Sequence, residues 1–488
     1  MGNLQVMFDL RPIFLVSGIL LSTLGTAMLI PGLYDLAMDS EDWKAFAGSA
    51  LVTLFIGVSL TLANWGQTSD LSIKQAFVLT TLVWIELVGF AALPMAFSEL
   101  DMSYTDAFFE SMSGLTTTGA TVMTGLDSAP PGVLLWRGIL QWLGGIGIIV
   151  MAITVLPMLQ VGGMQLFRLE SSDTSEKILP RATQIAGSIA GLYVSLSLAC
   201  ALAYLIAGME VFDAIIHAMT TIATGGFSNH DASMGYFDSL AIDMIAVVFM
   251  IISSLPFALY LQAIAGRTGP LWRDSQTRLF LFFVVTFIAI MWFYQLAQEI
   301  ATPGAAFQRA AFNVVSILTG TGYATTDYGL WGPFAMVFFF VIMFMGGCAG
   351  STSCGLKTFR FHVMLEHIRT QIKLQLHPNG IFIPRYNKKP LHEDVIMSVM
   401  SFIMLFFLCF LLLALALNLL GLDNVTSLSA AASAIANVGP GLGPIVGPAG
   451  TYSALPDTAK WLLGFGMLLG RLELFTVLVL FMPAFWRS

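Results

Sequence analysis

Long apolar stretches alternate with short polar ones along the whole chain. Ten of the apolar stretches contain about 20 residues, the length that a helix needs to cross a bilayer. The first two, 12–31 and 46–65, predict a hairpin of two membrane helices. The other eight predict four pairs of spans, and a short segment and a polar stretch with glycine separate the two members of each pair.

This pattern predicts one unit that occurs four times: a long helix (M1), a short segment, a glycine stretch and a second long helix (M2). The short segments have about ten to fifteen residues, a length typical of re-entrant rather than spanning helices. The M1 spans are predicted near 76–97, 183–207, 278–298 and 394–420, and the M2 spans near 133–160, 238–265, 331–367 and 459–484.

The four polar stretches align on one glycine each. Gly119, Gly226, Gly322 and Gly439 are 107, 96 and 117 residues apart, which fits one such unit per copy. Coincidence is the alternative, since membrane helices are rich in glycine, but the hydropathy pattern repeats together with the glycines. The stretches are Thr116-Thr-Thr-Gly119-Ala-Thr121, Ala223-Thr-Gly-Gly226-Phe-Ser228, Thr319-Gly-Thr-Gly322-Tyr-Ala324 and Ala436-Asn-Val-Gly439-Pro-Gly441.

Composition and charge agree with a membrane protein and orient it. Of the 488 residues, 57% are hydrophobic and only 10% are charged, whereas a soluble domain carries about a quarter charged residues. Sixteen of the 21 Lys and Arg residues lie on one side of the predicted spans, against Lys44, Arg137, Arg309 and Lys460 on the other. The positive-inside rule therefore places both termini in the cytoplasm and opens the glycine stretches to the outside.

Irregular backbone at membrane depth suggests an ion pathway. Such backbone is tolerated only where it is buried in protein or lines a water-filled cavity, and carbonyl oxygens that face a common axis replace the hydration shell of a monovalent cation. Glycine suits this arrangement because it accepts positive φ. Three acidic residues follow the stretches, Asp127, Asp231 and Asp327; they are either a cation-concentrating outer mouth or ordinary solvated loop residues.

Two features of the M2 spans predict control of this pathway. Residues 346–355 place ten small or polar residues within the third M2, so we expect a loop that obstructs the pore, with a glycine kink as the alternative. Arg471 lies about eleven residues into the last span, roughly 16 Å deep at 1.5 Å per residue. A charge at that depth faces the protein interior with a partner, either a carbonyl of residues 346–355 or Glu473, and a purely structural pair with Glu473 is the alternative.

The four stretches, together with Gly346-Gly-Cys-Ala-Gly350-Ser-Thr-Ser-Cys-Gly355-Leu-Lys357 and Gly470-Arg471-Leu-Glu473, resemble the Trk/Ktr/HKT superfamily of potassium transport proteins, most closely its bacterial TrkH branch. The resemblance covers essentially the whole chain. It implies an all-α integral membrane protein with four pseudo-repeated M1–pore helix–M2 units around one central pore, plus an N-terminal hairpin. The boundaries we predict are 1–70 for the hairpin, and 71–170, 171–270, 271–375 (with the broken M2) and 376–488 for repeats 1 to 4.

The resemblance also implies the roles of individual residues. Copy four departs most, because it has Asn437, Val438 and Pro440 in place of the threonine and alanine of the first copy. The predicted potassium-binding filter residues are Thr116, Thr117, Thr118, Gly119, Ala223, Thr224, Gly225, Gly226, Thr319, Gly320, Thr321, Gly322, Ala436, Asn437, Val438 and Gly439. The predicted gate residues are Gly346, Gly347, Cys348, Ala349, Gly350, Ser351, Thr352, Ser353, Cys354, Gly355, Lys357 and Arg471.

These features predict a channel-like potassium uptake protein of the bacterial inner membrane, with potassium as its substrate and no cofactor, catalytic group or nucleic-acid partner. A proton- or sodium-coupled cation symporter with broken helices is the alternative. The resemblance implies a homodimer and a cytoplasmic TrkA-type nucleotide-binding regulatory ring. The basic segment 357–389 is the predicted docking surface for that ring, and anionic membrane lipid would be attracted by the same charge.

Overall fold

The computed structural model describes residues 9–66, 72–154, 163 and 182–487. The fold is all-α, as predicted. Among these residues, seven helices are long and apolar enough to cross a membrane, or up to nine if each bent pair is counted as one span. A small antiparallel hairpin joins strand Arg385–Tyr386 to strand Lys389–Pro390 on the segment between the third and fourth repeats.

The described residues fall into two compact units, one within 1–108, 130–136 and 476–488, the other within 109–129 and 137–475. In the first unit, helices Arg11–Ala37 and Trp43–Ala63 form the predicted hairpin. They approach closely at small residues: a Cβ atom on Gly18 would lie 2.7 Å from the amide nitrogen of Thr61. Small residues at a crossing allow membrane helices to gain dispersion energy without a hydrophobic driving force.

The four predicted repeats are present as M1, pore helix and M2. Each pore helix is short, and the third, with 17 residues, is somewhat longer than predicted. The M1 helices are Ile73–Ala91, Ala182–Ile206, Ser275–Ala297 and Glu393–Leu419. The pore helices are Tyr104–Leu115, Val211–Ile222, Pro303–Thr319 and Asn424–Ala436. The M2 segments begin with helices Pro131–Thr154, Leu240–Ser253, Pro333–Met343 and Asp457–Arg471.

Within the described residues, three of the four M2 segments are broken, whereas the sequence predicts a break only in the third. The second M2 stops at Ser253 and resumes as Phe257–Ile264 at 91°, because Pro256 cannot continue the hydrogen-bonded helix. The third stops at Met343 and resumes as Thr358–Leu376, so the predicted interruption is present. The prediction of continuous spans at 238–265 and 459–484 is therefore wrong.

The fourth M2 helix ends at Arg471, and the next helix is Leu474–Leu478. Arg471 is therefore the last residue of its helix, whereas the sequence predicts a span that continues past it to 484. The end of the first M2 span beyond Thr154, and the basic residues Arg168, Lys177 and Arg181, lie outside the described residues.

Candidate functional site

The glycine stretches of repeats 1, 2 and 3 lie against one another. A Cβ atom on Gly119 would overlap the carbonyl oxygen of Gly225 in the second repeat. A Cβ atom on Gly226 would in turn overlap the carbonyl oxygen of Thr321 in the third. Only glycine permits this approach of backbone to backbone.

The fourth repeat closes the circle. A Cβ atom on Gly322 would lie 2.9 Å from the amide nitrogen of Gly439, and one on Gly439 would lie 2.6 Å from the carbonyl oxygen of Gly119. The contacts therefore run from repeat 1 through 2, 3 and 4 and back to 1. We call these four residues, Gly119, Gly226, Gly322 and Gly439, the glycine ring.

The backbone around the ring repeats a left-handed conformation. Each repeat has a residue at positive φ two places before its ring glycine, and this residue ends the pore helix and turns the chain toward the ring. The four residues are Thr117 (φ 52°), Thr224 (50°), Gly320 (79°) and Asn437 (52°). The ring glycines of repeats 1 to 3 are also left-handed, at 86°, 77° and 84°, whereas Gly439 is not.

Side chains give the ring a two-fold rather than a four-fold character. In repeat 1 the hydroxyls of Thr116 and Thr118 are 2.8 Å apart, and in repeat 3 those of Thr319 and Thr321 are 2.8 Å apart. Repeats 2 and 4 have no hydroxyl at these places, where they carry Ala223, Gly225, Ala436 and Val438. Because the repeats follow one another around the ring, the two hydroxyl-rich repeats lie diagonally opposite.

Three pore helices carry a polar side chain nine residues before the ring glycine, and each holds the chain just after that glycine. We call these side chains the braces; they were not among the residues predicted from the sequence. Aligning the four copies on the ring glycines would have shown a polar residue at this place in the first three and Ala430 in the fourth. The braced pairs are Glu110 with the amide of Val122 (2.9 Å), His217 with the hydroxyl of Ser228 (2.9 Å) and Asn313 with the amide of Thr325 (3.2 Å).

Arg137 links the first two braced segments. Its guanidinium pairs with Glu110 at 2.8 Å and donates to the carbonyl oxygen of Ser228 at 2.8 Å. Both members of the pair are buried, and Arg137 also lies 4.1 Å above the ring of Phe227. The sequence predicts Arg137 as one of the few basic residues on the outer side; in the structure it is buried and bonds to the segments that follow two of the ring glycines.

Residues 346–355, which we call the intramembrane loop after the position predicted for it, lie against the side of the ring where the pore helices end. The Cys354 sulfur is 3.4 Å from the hydroxyl of Thr117, and the Ser353 hydroxyl donates to the carbonyl oxygen of Thr319 at 2.6 Å. A Cβ atom on Gly320 would lie 3.3 Å from the amide nitrogen of Cys354. The loop therefore contacts repeats 1 and 3 directly.

The break in the second M2 anchors this loop. The carbonyl oxygens at the end of a helix lack partners within it, and here the loop supplies them. The amide of Cys348 donates to the carbonyl oxygen of Ser254 at 2.8 Å, and the Thr352 hydroxyl donates to that of Ser253 at 3.0 Å. At its base, the amide of Gly346 donates to the carbonyl oxygen of Leu356 at 2.9 Å and closes the loop.

Arg471 bonds to the loop and not to Glu473. Its guanidinium is 2.6 Å from the Cys354 sulfur and donates to the carbonyl oxygen of Thr352 at 3.3 Å. Glu473 pairs instead with Arg360 at 2.6 Å, and both of these side chains are buried. Lys357 donates from its ammonium group to the carbonyl oxygen of Ser353. Two cationic side chains therefore hold the loop from the fourth M2 and from its own C-terminal end.

Two cavities lie on the two sides of the ring. One, which we call the outer cavity because the sequence predicts that this side faces out, has a volume of about 240 Å³ and is lined by all four ring glycines. The other, which we call the inner cavity, is lined by Cys354, Asn437 and Arg471 among others and has only about 30 Å³. The intramembrane loop thus leaves little open volume on the inner side.

The three acidic residues after the stretches have different surroundings. Asp231 lines the outer cavity and accepts a hydrogen bond from the amide of Leu126. Asp127 bonds to His230 at 2.6 Å, and Asp327 caps its own turn. Burial lowers the pKa of His230, but hydrogen bonds to Asp213 and Asp127 outweigh that and raise it above its ordinary value. Of the three, only Asp231 borders the space next to the ring.

The basic segment 357–389 is divided between internal and exposed residues. Lys357 and Arg360 make the internal contacts described above. The side chains of Arg385, Lys388 and Lys389 are exposed on or beside the two-stranded hairpin, and Arg369 and Lys373 are exposed on helix Thr358–Leu376. Only this second group is accessible to a partner.

This fold defines a class of membrane protein in which four repeats, each with a pore helix, surround a ring of backbone. Residues 43–488 match the family model TrkH, described as a cation transport protein. The chain is 45% identical to the Trk system potassium uptake protein TrkI of Halomonas elongata, over 98% of this chain and 97% of that one. It is 40% identical to the Trk system potassium uptake protein TrkH of Escherichia coli, over 98% and 99% of the two chains.

A solved structure has the same fold. The crystal structure of the potassium transporter TrkH from Vibrio parahaemolyticus superposes with a TM-score of 0.91 at 37% identity, over 98% of this chain and all of that one. The chain belongs to the TrkH family of cation transport proteins.

Proposed function

We propose that this protein takes up potassium across the bacterial inner membrane through a pore whose filter is the glycine ring. The observation that carries the proposal is the closure of four backbone stretches into one ring between two cavities. The names of the relatives, potassium uptake proteins, supply the ion. The filter residues are the sixteen predicted from the sequence, and backbone oxygens among them replace water around the ion.

The intramembrane loop is the gate of this pore in our proposal. Its contacts with Thr117 and Thr319, and the small cavity left beside it, support an obstructed pathway. Arg471 acts on the loop through Cys354 and Thr352. Movement of helix Thr358–Leu376, which continues directly from the loop, would withdraw it.

Regulation and assembly complete the proposal. A TrkA-type nucleotide-binding ring docks on the exposed basic residues of segment 357–389 and moves helix Thr358–Leu376, and the protein works as a homodimer with both termini in the cytoplasm. Anionic lipid is the competing ligand for the same basic residues.

Flux assays in proteoliposomes test this function. Purified protein in liposomes should take up rubidium, a potassium analogue, down its gradient without an imposed proton or sodium gradient. Uptake that appears only with such a gradient would favour the coupled symporter. No uptake above empty liposomes, with or without the regulatory partner, would overturn the proposal, and a protein with Gly119 and Gly322 both changed to Val is the inactive control.

A further inference from the structure

The ring glycine of the fourth repeat differs from the other three in its backbone. Gly439 lacks the left-handed φ that Gly119, Gly226 and Gly322 share. The cause is in the sequence, because Pro440 follows it and a residue before proline is restricted to extended conformations. In the other repeats an alanine, a phenylalanine or a tyrosine follows the glycine and imposes no such limit.

Two buried hydroxyls bind the carbonyl oxygens of this altered segment. The Tyr452 hydroxyl lies 3.1 Å from the carbonyl oxygen of Gly439, and the Ser433 hydroxyl lies 2.6 Å from that of Val438. Each hydroxyl has one proton to donate, so the two can serve the two carbonyls together. Ser433 is in the pore helix, and both carbonyls therefore face that helix and Tyr452.

The other three ring glycines keep their carbonyl oxygens unpaired. Within the part of the chain that the structure describes, the carbonyl oxygens of Gly119, Gly226 and Gly322 accept no hydrogen bond. These three glycines are partly exposed and line the outer cavity, whereas Gly439 is buried. Carbonyl oxygens that have no partner in the protein and border a cavity are suited to bind a cation.

We propose that three backbone carbonyls, from Gly119, Gly226 and Gly322, coordinate the ion at the level of the glycine ring, while Tyr452 and Ser433 hold the fourth carbonyl away. This rests on the proposed function. Tyr452 and Ser433 are positioning residues, since they act through Gly439 and Val438. An ion with three protein ligands at this level keeps part of its water, so the site discriminates potassium from sodium less than a complete ring would.

The variant Tyr452→Phe/Ser433→Ala removes both hydroxyl donors and keeps the ring and methylene packing. We expect the ratio of potassium to sodium permeability to rise by up to about fivefold, the equivalent of one net hydrogen bond, and to rise further when Pro440→Ala is added. Tyr294→Phe is the matched control, because Tyr294 also donates from its hydroxyl to a backbone carbonyl but at Trp331, away from the ring. A ratio equal to that of the control would overturn the proposal.

A second measurement does not depend on the variants folding. Anomalous scattering from rubidium in crystals of the unaltered protein should place an ion at the ring, close to three glycine carbonyls and farther from that of Gly439. Four equal distances would refute the three-carbonyl site and leave the filter itself standing. Absence of rubidium at the ring, together with absence of flux, would refute the proposed function.

Discussion

Gly119 shows what a single residue decides at the ring. Its backbone is left-handed, a conformation that costs an ordinary residue about 1–2 kcal/mol, and a side chain there would meet the carbonyl oxygen of Gly225. A side chain at position 119 would therefore cause both backbone strain and a collision with Gly225. Relief of either one moves the backbone of repeat 1 away from that of repeat 2.

We expect Gly119→Ser to lower the ratio of rubidium to sodium flux, since the displaced carbonyls no longer match the larger ion. Parallel uptake of the two ions into proteoliposomes measures the ratio. Gly191→Ser is the matched control, because Gly191 lies in the M1 helix of repeat 2, where a Cβ atom would have no neighbour within 4 Å and φ is not positive. An unchanged ratio would count against the filter assignment.

Arg471 is the second residue whose loss has a defined effect. A hydrogen bond to a charged group contributes about 1.5–3 kcal/mol, so Arg471→Ala should shift the equilibrium away from the obstructed state by roughly tenfold or more. We expect higher rubidium flux in the absence of the regulatory partner, and a smaller rise for Arg471→Lys, which keeps the charge. Loss of flux in a variant that still elutes as folded protein would mean that Arg471 is structural.

At the scale of elements, the broken M2 segments explain how the loop of residues 346–355 is held against the ring. Each break leaves carbonyl oxygens without helical partners, and Ser253 and Ser254 at the second break bond to the loop that fills the third. Arg471, at the end of the fourth M2 helix, bonds to the same loop. The three interruptions are therefore connected, because the ends of the second and fourth M2 helices supply hydrogen-bond partners to the loop that fills the break in the third.

Shortening the loop tests its role as an element. Deletion of residues 349–352 keeps the closure between Gly346 and Leu356 but removes Thr352, one of the bonds to the second M2. We expect a higher open probability in single-channel recordings. Ser351→Ala, which removes only a bond within the loop to Cys348, should leave it nearly unchanged; equal behaviour of the deletion and the unaltered protein would exclude the gate.

For the whole molecule, the four units share an order of elements but not a chemistry. Repeats 1 and 3 supply the pairs of threonine hydroxyls, and repeat 3 also supplies the loop. Repeat 4 supplies Arg471 and the carbonyl of Gly439, which bonds to Tyr452. Such division of roles is available to one chain with four copies, because each copy varies independently, whereas four identical subunits must change together.

Coupling to a regulatory ring belongs to this scale. Arg385→Glu/Lys388→Glu/Lys389→Glu reverses three exposed charges on and beside the hairpin. We expect weaker retention of a TrkA-type ring by immobilised protein, with Lys44→Glu, predicted on the other side of the membrane, as the control. If retention is unchanged and only binding to anionic vesicles falls, the segment is a lipid contact.

Local patterns explain why much of this architecture was predictable. Span length, the order of M1, short helix and M2, and the ten small or polar residues at 346–355 depend on near neighbours in the chain, and the bilayer sets the length of each span. Pro256 was visible too, but proline is tolerated in membrane helices, so its presence alone did not predict the 91° bend. Gly439-Pro440 likewise marked copy four as different without showing where its carbonyls face.

What the sequence determined by itself is therefore the class of protein, the four-fold repetition and the place of the ring, because the hydropathy of each span and the recurrence of the glycine stretches are visible along the chain without knowledge of how the spans pack. Only the tertiary structure decided which partners the charged and polar groups take: Arg471 with Cys354 and not Glu473, and Arg137 with Glu110. Arg471 and Cys354 are 117 residues apart in the chain. Such pairs depend on how the repeats pack around the ring, and no local pattern records that packing.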